Sequence, residues 1–187
     1  MTPIPIDALP AALAADLDRA FPQLVQAVQD DLYSGALRMT GNHADAEDVT
    51  QEALIRAHRA LAAYPPDRIE ALRLRGWVWT IAANLCRNRA RARARRPEAP
   101  LPDGEIPDES VRGPEESALA ADTAASLVRH LAGLPPAQRE AVVLRHVVGL
   151  GYAEIADALR RPVGTVKADV HRALARLRAL TTEEEPA

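Results

Sequence analysis

Two stretches of this 187-residue chain carry side chains whose types and spacing suit nucleic-acid chemistry. Residues 71–97 hold eight arginines and no acid, interleaved with Trp77, Trp79, Asn84 and Asn88. Planar rings can hold single-stranded bases apart, amides can pair with a base edge, and guanidinium groups take phosphate or base. Residues 160–178 hold six basic side chains against one acid, Asp169, on a helical pattern that follows a tight Arg161-Pro162-Val163-Gly164 turn. Other chemistries find no support. The five histidines (His43, His58, His130, His146, His171) show no HExxH or paired spacing. The single cysteine, Cys86, sits in no motif, and no glycine loop could cradle a phosphate. No catalytic residue, metal site or cofactor is expected, and the chain reads as a non-enzyme.

Acid is concentrated elsewhere. Residues 1–55 hold nine acids and two arginines, and residues 98–122 hold eight acids and one arginine, so a net charge of −3 conceals alternating blocks. Blocks of this size imply separate surfaces with different partners. A solvated helix face accounts for any one such run; two basic runs, each on a recognisable helix, fit that account poorly. The 22 arginines beside one lysine are also compatible with genomic base composition.

The elements that must position these groups read as helices. The chain has 38 alanines and 6 aromatic residues, a composition that favours helices and disfavours sandwiches or barrels. No apolar run approaches the roughly 20 residues that cross a bilayer. The N-terminus has no basic residue before Arg19 and three early prolines, unlike a secretory signal. A cytoplasmic protein without membrane insertion is expected. Large apolar residues recur at Leu24, Val28, Leu32 and Leu37, and again at Val49, Ala53, Leu54, Ala57 and Leu61, with Asp45 as N-cap of the second helix. Pro65-Pro66 ends that helix, and a third starts near Leu72–Gly76 and runs to Pro97 on a stripe of Trp77, Ile81 and Leu85. That phase puts Trp77 in the core and Trp79 on an open face with Arg87.

From Arg96 to about Ala118 the chain packs five prolines, two glycines and seven acids with almost no large apolar residue, which reads as a linker. Four shorter helical patterns follow: Leu119–Ala132, Pro136–Val148, Tyr152–Arg160 and Thr165–Leu180. The last two have the layout of a helix-turn-helix unit, whose second helix enters the major groove. Val166, Val170, Leu174 and Leu177 form its buried stripe. Lys167, Ala168, His171, Arg172 and Arg176 lie off that stripe and can reach DNA. The fold class is thus all-α: an N-terminal helical bundle and a C-terminal four-helix helix-turn-helix domain joined by a flexible acidic, Pro-rich linker. The expected divisions are a tail (1–19), a first domain (20–96), the linker (97–117), a second domain (118–181) and an acidic tail (182–187).

The stretches DAEDVTQEALIRAHRAL at 45–61, GWVWTIAANLCRNRARARARR at 76–96 and LPPAQREAVVLRHVVGLGYAEIADALRRPVGTVKADVHRALARLR at 134–178 together resemble an extracytoplasmic-function sigma factor of the sigma-70 family. That class is a small, two-domain bacterial transcription initiation factor. The resemblance implies a chain that binds core RNA polymerase through the large-subunit clamp and flap and directs it to promoters. It implies recognition of double- and single-stranded promoter DNA at the −10 and −35 elements, promoter melting, and an anti-sigma factor as inhibitor. On the same ground Asp48, Val49, Gln51 and Glu52 dock on the clamp. Asp48 alone also fits simple stabilisation of a helix start. Arg75, Trp79, Thr80, Asn84, Arg87, Asn88 and Arg91 face the −10 element. The 64–75 loop corresponds to the segment that captures a flipped base, its preference not transferable. Thr165, Lys167, Ala168, His171, Arg172 and Arg176 face the −35 element. Asp169 departs from the family's pattern, so it either turns away from DNA or accepts from a cytosine amino group. The 97–117 linker reaches at most roughly 70 Å, against about 35 Å per turn of DNA. A stand-alone helix-turn-helix regulator is the alternative, but it leaves the acidic motif and the arginine helix unexplained.

Overall fold

The computed structural model describes residues 5–95 and 126–183. The linker 97–117, the expected helix before Ser126 and the last four residues lie outside the described residues. Among the described residues every regular element is helical, as the alanine-rich composition predicts.

The first half contains α1 (Leu9–Ala15), α2 (Leu17–Thr40), α3 (His43–Ala63), α4 (Pro66–Glu70) and α5 (Leu74–Arg95). The stripe expected on α2 forms as read: Leu24, Val28, Leu32 and Leu37 are all buried. Gly41 ends α2 in the left-handed conformation, φ 69°, where a side chain would be strained. The cap of α3 is Asn42, not Asp45: its side-chain carbonyl accepts from the Asp45 amide at 2.9 Å. One earlier turn of helix is thereby gained, and Asp45 faces α5 as an ion-pair partner instead. Pro65-Pro66 ends α3 as expected, but Pro66 also opens α4, within the segment read as a loop.

Residues 1–19 do not behave as a tail in their described part. Ile6–Ala8 forms a 3₁₀ turn leading into α1, and Leu9 and Leu13 are 0% and 1% exposed. Pro10 sits in the first turn of α1, where its missing N–H costs nothing, and the two leucines one turn apart bury α1 against α2 and α4. The first domain therefore begins well before residue 20.

The second half contains α6 (helical over 126–132), α7 (Pro136–His146), α8 (Tyr152–Leu159) and α9 (Val163–Glu183). Between α8 and α9, Arg160 takes φ 52° and ends α8, and α9 begins three residues later, the layout of a helix-turn-helix. Val166, Val170 and Ala173 are buried, with Leu174 and Leu177 packed partly against the same core.

The two halves do not stand apart. The buried side chains form one continuous cluster, with α5 against α8 and α2 against α7. Trp79 and Val148 meet over Gly35, where a Cβ would overlap the Trp79 ring. A bulky ring from α5 thus fills the slot left by a residue without a side chain on α2, and α7 and its following turn close it.

Candidate nucleic-acid interface

α9 presents one side to the core and the other to solvent. Thr165, Lys167, His171, Arg172 and Arg176 are exposed and Ala168 is half-buried, so the residues expected to read the −35 element share an accessible face. Asp169 is 4% exposed and turned inward. Arg161 donates to one of its carboxylate oxygens and Arg172 to the other, at 2.6 Å for the latter. Of the two alternatives for Asp169, the structure has it facing away from the outer face, its charge neutralised within the fold. Arg176 donates to the Gln138 side-chain oxygen Oε1 at 3.0 Å, and the Lys167 ammonium lies 5.7 Å from the Tyr152 ring centroid. These contacts steady the two long side chains against α7 and α8.

The α5 face is arranged differently. Trp79, expected on an open face, is 1% exposed, and Trp77, expected in the core, is half-buried. The buried stripe of α5 runs through Leu74, Val78, Ala82, Leu85 and Cys86, with Trp79 and Ala83 beside it. The helix is covered on two sides, by α2 and α3 and by α8, so a single apolar stripe does not give its phase. Trp77 instead packs edge-on to Tyr64, with ring centroids 6.1 Å apart, and the Arg68 guanidinium stacks 3.7 Å over Tyr64. This aromatic group, missed in the sequence, ties Tyr64 at the start of the 64–75 segment to α5. Arg75 is tied to Asp31 at 2.6 Å, Thr80 bonds back to the Gly76 carbonyl, and Asn84 accepts from Arg87 at 2.6 Å. Asn88 and Arg91 are exposed.

Glu140 on α7 meets this face. Its carboxylate lies 3.8 Å from Arg87, and burial pushes its pKa up against the opposing pull of Arg87, Arg161, Arg91 and Arg139. Cys86 is buried nearby, and burial chiefly pushes its thiol up to about 12, which favours the protonated form.

The acidic motif lies on α3. Val49 is 0% exposed and belongs to the core, which removes it from any docking surface; the helix turns it inward between Ala46 and Ala53. Gln51 is exposed, Glu52 pairs with Arg56 at 2.6 Å, and Asp48 accepts from Arg89 at 2.9 Å while staying largely open. Ile55 stands among them, 46% exposed. It is an apolar residue one turn beyond Gln51 on a polar face, a signal present in the sequence and overlooked.

Residues 24–96 match Sigma-70 region 2 and residues 124–177 match Sigma-70 region 4. The sigma factor SigW of Bacillus subtilis, of the extracytoplasmic-function class, is 30% identical over 172 residues, covering 85% of this chain and 87% of that protein. The chain belongs to the extracytoplasmic-function sigma factors. This class initiates transcription by directing RNA polymerase to promoters, and the regulator alternative is not favoured. RNA polymerase sigma-H factor of Pseudomonas aeruginosa is 32% identical across 83% of this chain and 82% of its own length. SigE of Mycolicibacterium smegmatis is 37% identical across 85% of this chain, which spans 60% of that sigma factor's length. In three dimensions the chain is similar to CnrH, solved with the cytosolic domain of CnrY, at a TM-score of 0.70 and 27% identity, covering 96% of this chain and 99% of CnrH. No described helix is long and apolar enough to cross a membrane.

Proposed function

We propose that this sigma factor docks on core RNA polymerase through the outer face of α3 and reads the −35 element with the outer face of α9. The observation that carries this reading is a pair of exposed faces of opposite character on one chain. One is acidic and amide-bearing around Asp48, Gln51 and Glu52, with the exposed Ile55 at its C-terminal edge; the other is basic around Lys167, His171, Arg172 and Arg176. An exposed apolar side chain beside polar ones is a usual feature of a protein contact, and a basic helix after a tight turn is that of a groove reader. The −10 element falls to α5 and the 64–75 segment. There Asn84, Arg87, Asn88 and Arg91 supply polar contacts, and Trp77 with Tyr64 supplies the ring surface for unpaired bases. Polymerisation chemistry belongs to the polymerase, and the sigma factor contributes recognition. An anti-sigma partner fits the same surfaces, since covering either one would silence the chain.

The −35 assignment separates base from phosphate contacts. If Arg172 makes a bidentate guanine contact, Arg172→Ala costs about 1–3 kcal/mol and flattens preference at one −35 position. Asp169 keeps Arg161 as a partner in that variant, so the fold holds. Lys167→Ala, as a phosphate contact, weakens all promoters alike and lowers the salt slope by about one unit. Transcription from a −35 substitution library checks both. An unchanged sequence profile with Arg172→Ala removes that residue from the reader.

A further inference from the structure

Asp169 is the one acid in the basic stretch 160–178, and it is buried on the side of α9 that meets the core. Its two carboxylate oxygens are divided between two arginines in different situations. Arg161, between α8 and α9, has a side chain 22% exposed; it donates to one oxygen and, at 3.3 Å, to the Ala137 carbonyl of α7. Arg172, three residues further along α9, donates to the other oxygen at 2.6 Å, yet its side chain stays 54% exposed. A continuous set of contacts therefore runs from α7 through Arg161 and Asp169 to the outer face of α9. It ends on a guanidinium whose Nη2 is held from within while about half of the side chain faces solvent.

We propose that Asp169 is a positioning residue that sets Arg172 to read a base rather than to hold a phosphate. This rests on the −35 reading of α9 made above. Arginine loses much rotamer freedom when it is fixed, and a bidentate contact with guanine O6 and N7 needs its fork in one orientation. A carboxylate already bonded to Nη2 supplies part of that ordering before DNA arrives, so less of it falls on the binding step. Charge works in the same direction. Phosphate attracts cations whatever the base sequence. With Asp169 in place, the group of Arg161, Asp169 and Arg172 carries one net positive charge, where the two guanidiniums alone would carry two. The sequence-independent attraction is weakened while the N–H donors stay available to a base edge, and specificity is the difference between those two kinds of binding. An ion pair that served the fold alone would do neither, and its loss would lower all promoters alike.

Two variants of the full chain, each combined with core polymerase, test this on a library of −35 sequences and over a range of salt. Asp169→Asn leaves a single side-chain oxygen for two arginines and removes the charge. Preference at the position that Arg172→Ala flattens should fall by about two- to tenfold, and the salt slope of promoter binding should steepen by about one unit. Because Asn leaves Arg161 without a charge partner in a largely buried place, Arg161→Met/Asp169→Leu accompanies it. Exchanging both members of a buried pair for apolar residues is often neutral or better for stability, and the same flattening is expected. Adding Asp169→Asn to Arg172→Ala should flatten the profile no further than Arg172→Ala alone. A folded variant of either kind that keeps the original profile, or that transcribes all −35 sequences less but in the same order, overturns the proposal and leaves Asp169 a structural ion pair. A profile that Arg172→Ala itself leaves unaltered removes the base-reading role beneath it, and the proposal with it.

Discussion

Trp79→Ala is expected to destabilise the folded chain by about 3–5 kcal/mol, the range for truncating a fully buried aromatic residue. The ring is 1% exposed and fills the space over Gly35, so its removal leaves a void that neither α2 nor the Val148 turn can close without moving. Chemical denaturation followed by circular dichroism should show an earlier midpoint. Trp77→Ala should cost far less, because that ring is only half-buried. Its loss should show in promoter melting, where stacking on a base is worth roughly 1–3 kcal/mol. Permanganate footprinting of the start region measures that second effect. Should Trp79→Ala leave the midpoint unchanged while abolishing melting, the packing of α5 described above is wrong.

The second large effect concerns α3. Gln51→Lys/Glu52→Lys is expected to abolish binding to core polymerase while leaving the helical fold intact, since exposed substitutions usually change stability by less than about 0.5 kcal/mol. Glu52 gives up only a surface pair with Arg56, of a kind worth about 0.3–0.5 kcal/mol. What the variant introduces is two positive charges beside Ile55, on the face proposed to meet a basic clamp, and like charges across an interface are strongly unfavourable. A pull-down on core polymerase, with circular dichroism as the control for folding, decides it. Undiminished capture of a well-folded variant removes the assignment.

Much of this architecture was legible in the chain, and the misses share a cause. The stripes on α2 and α9 follow a single helical period, so their buried and open faces could be told from spacing, although α9 begins at Val163, inside the segment read as the turn. α5 could not be read that way. It is packed on two sides, its core residues include the small Ala82, Ala83 and Cys86, and the slot for Trp79 is made by a glycine on another helix. Val49 shows the complementary error. A family's motif mixes residues that dock with residues that hold the docking helix in place, and only burial separates them. Asp169 needed the reversal at Arg160, which brings Arg161 back onto α9. α1 was missed because one turn of spacing between Leu9 and Leu13 is too short a pattern to distinguish from a tail.

The central claim is that this chain gives core RNA polymerase a promoter it cannot otherwise find. In vitro transcription from the promoter of the gene's own operon tests it most directly, comparing core polymerase alone with core polymerase plus the chain. The account predicts a discrete transcript only when the chain is present, lost when Gln51→Lys/Glu52→Lys replaces it. No transcript from core polymerase with the folded chain, or one that appears equally with the docking-defective variant, would contradict it.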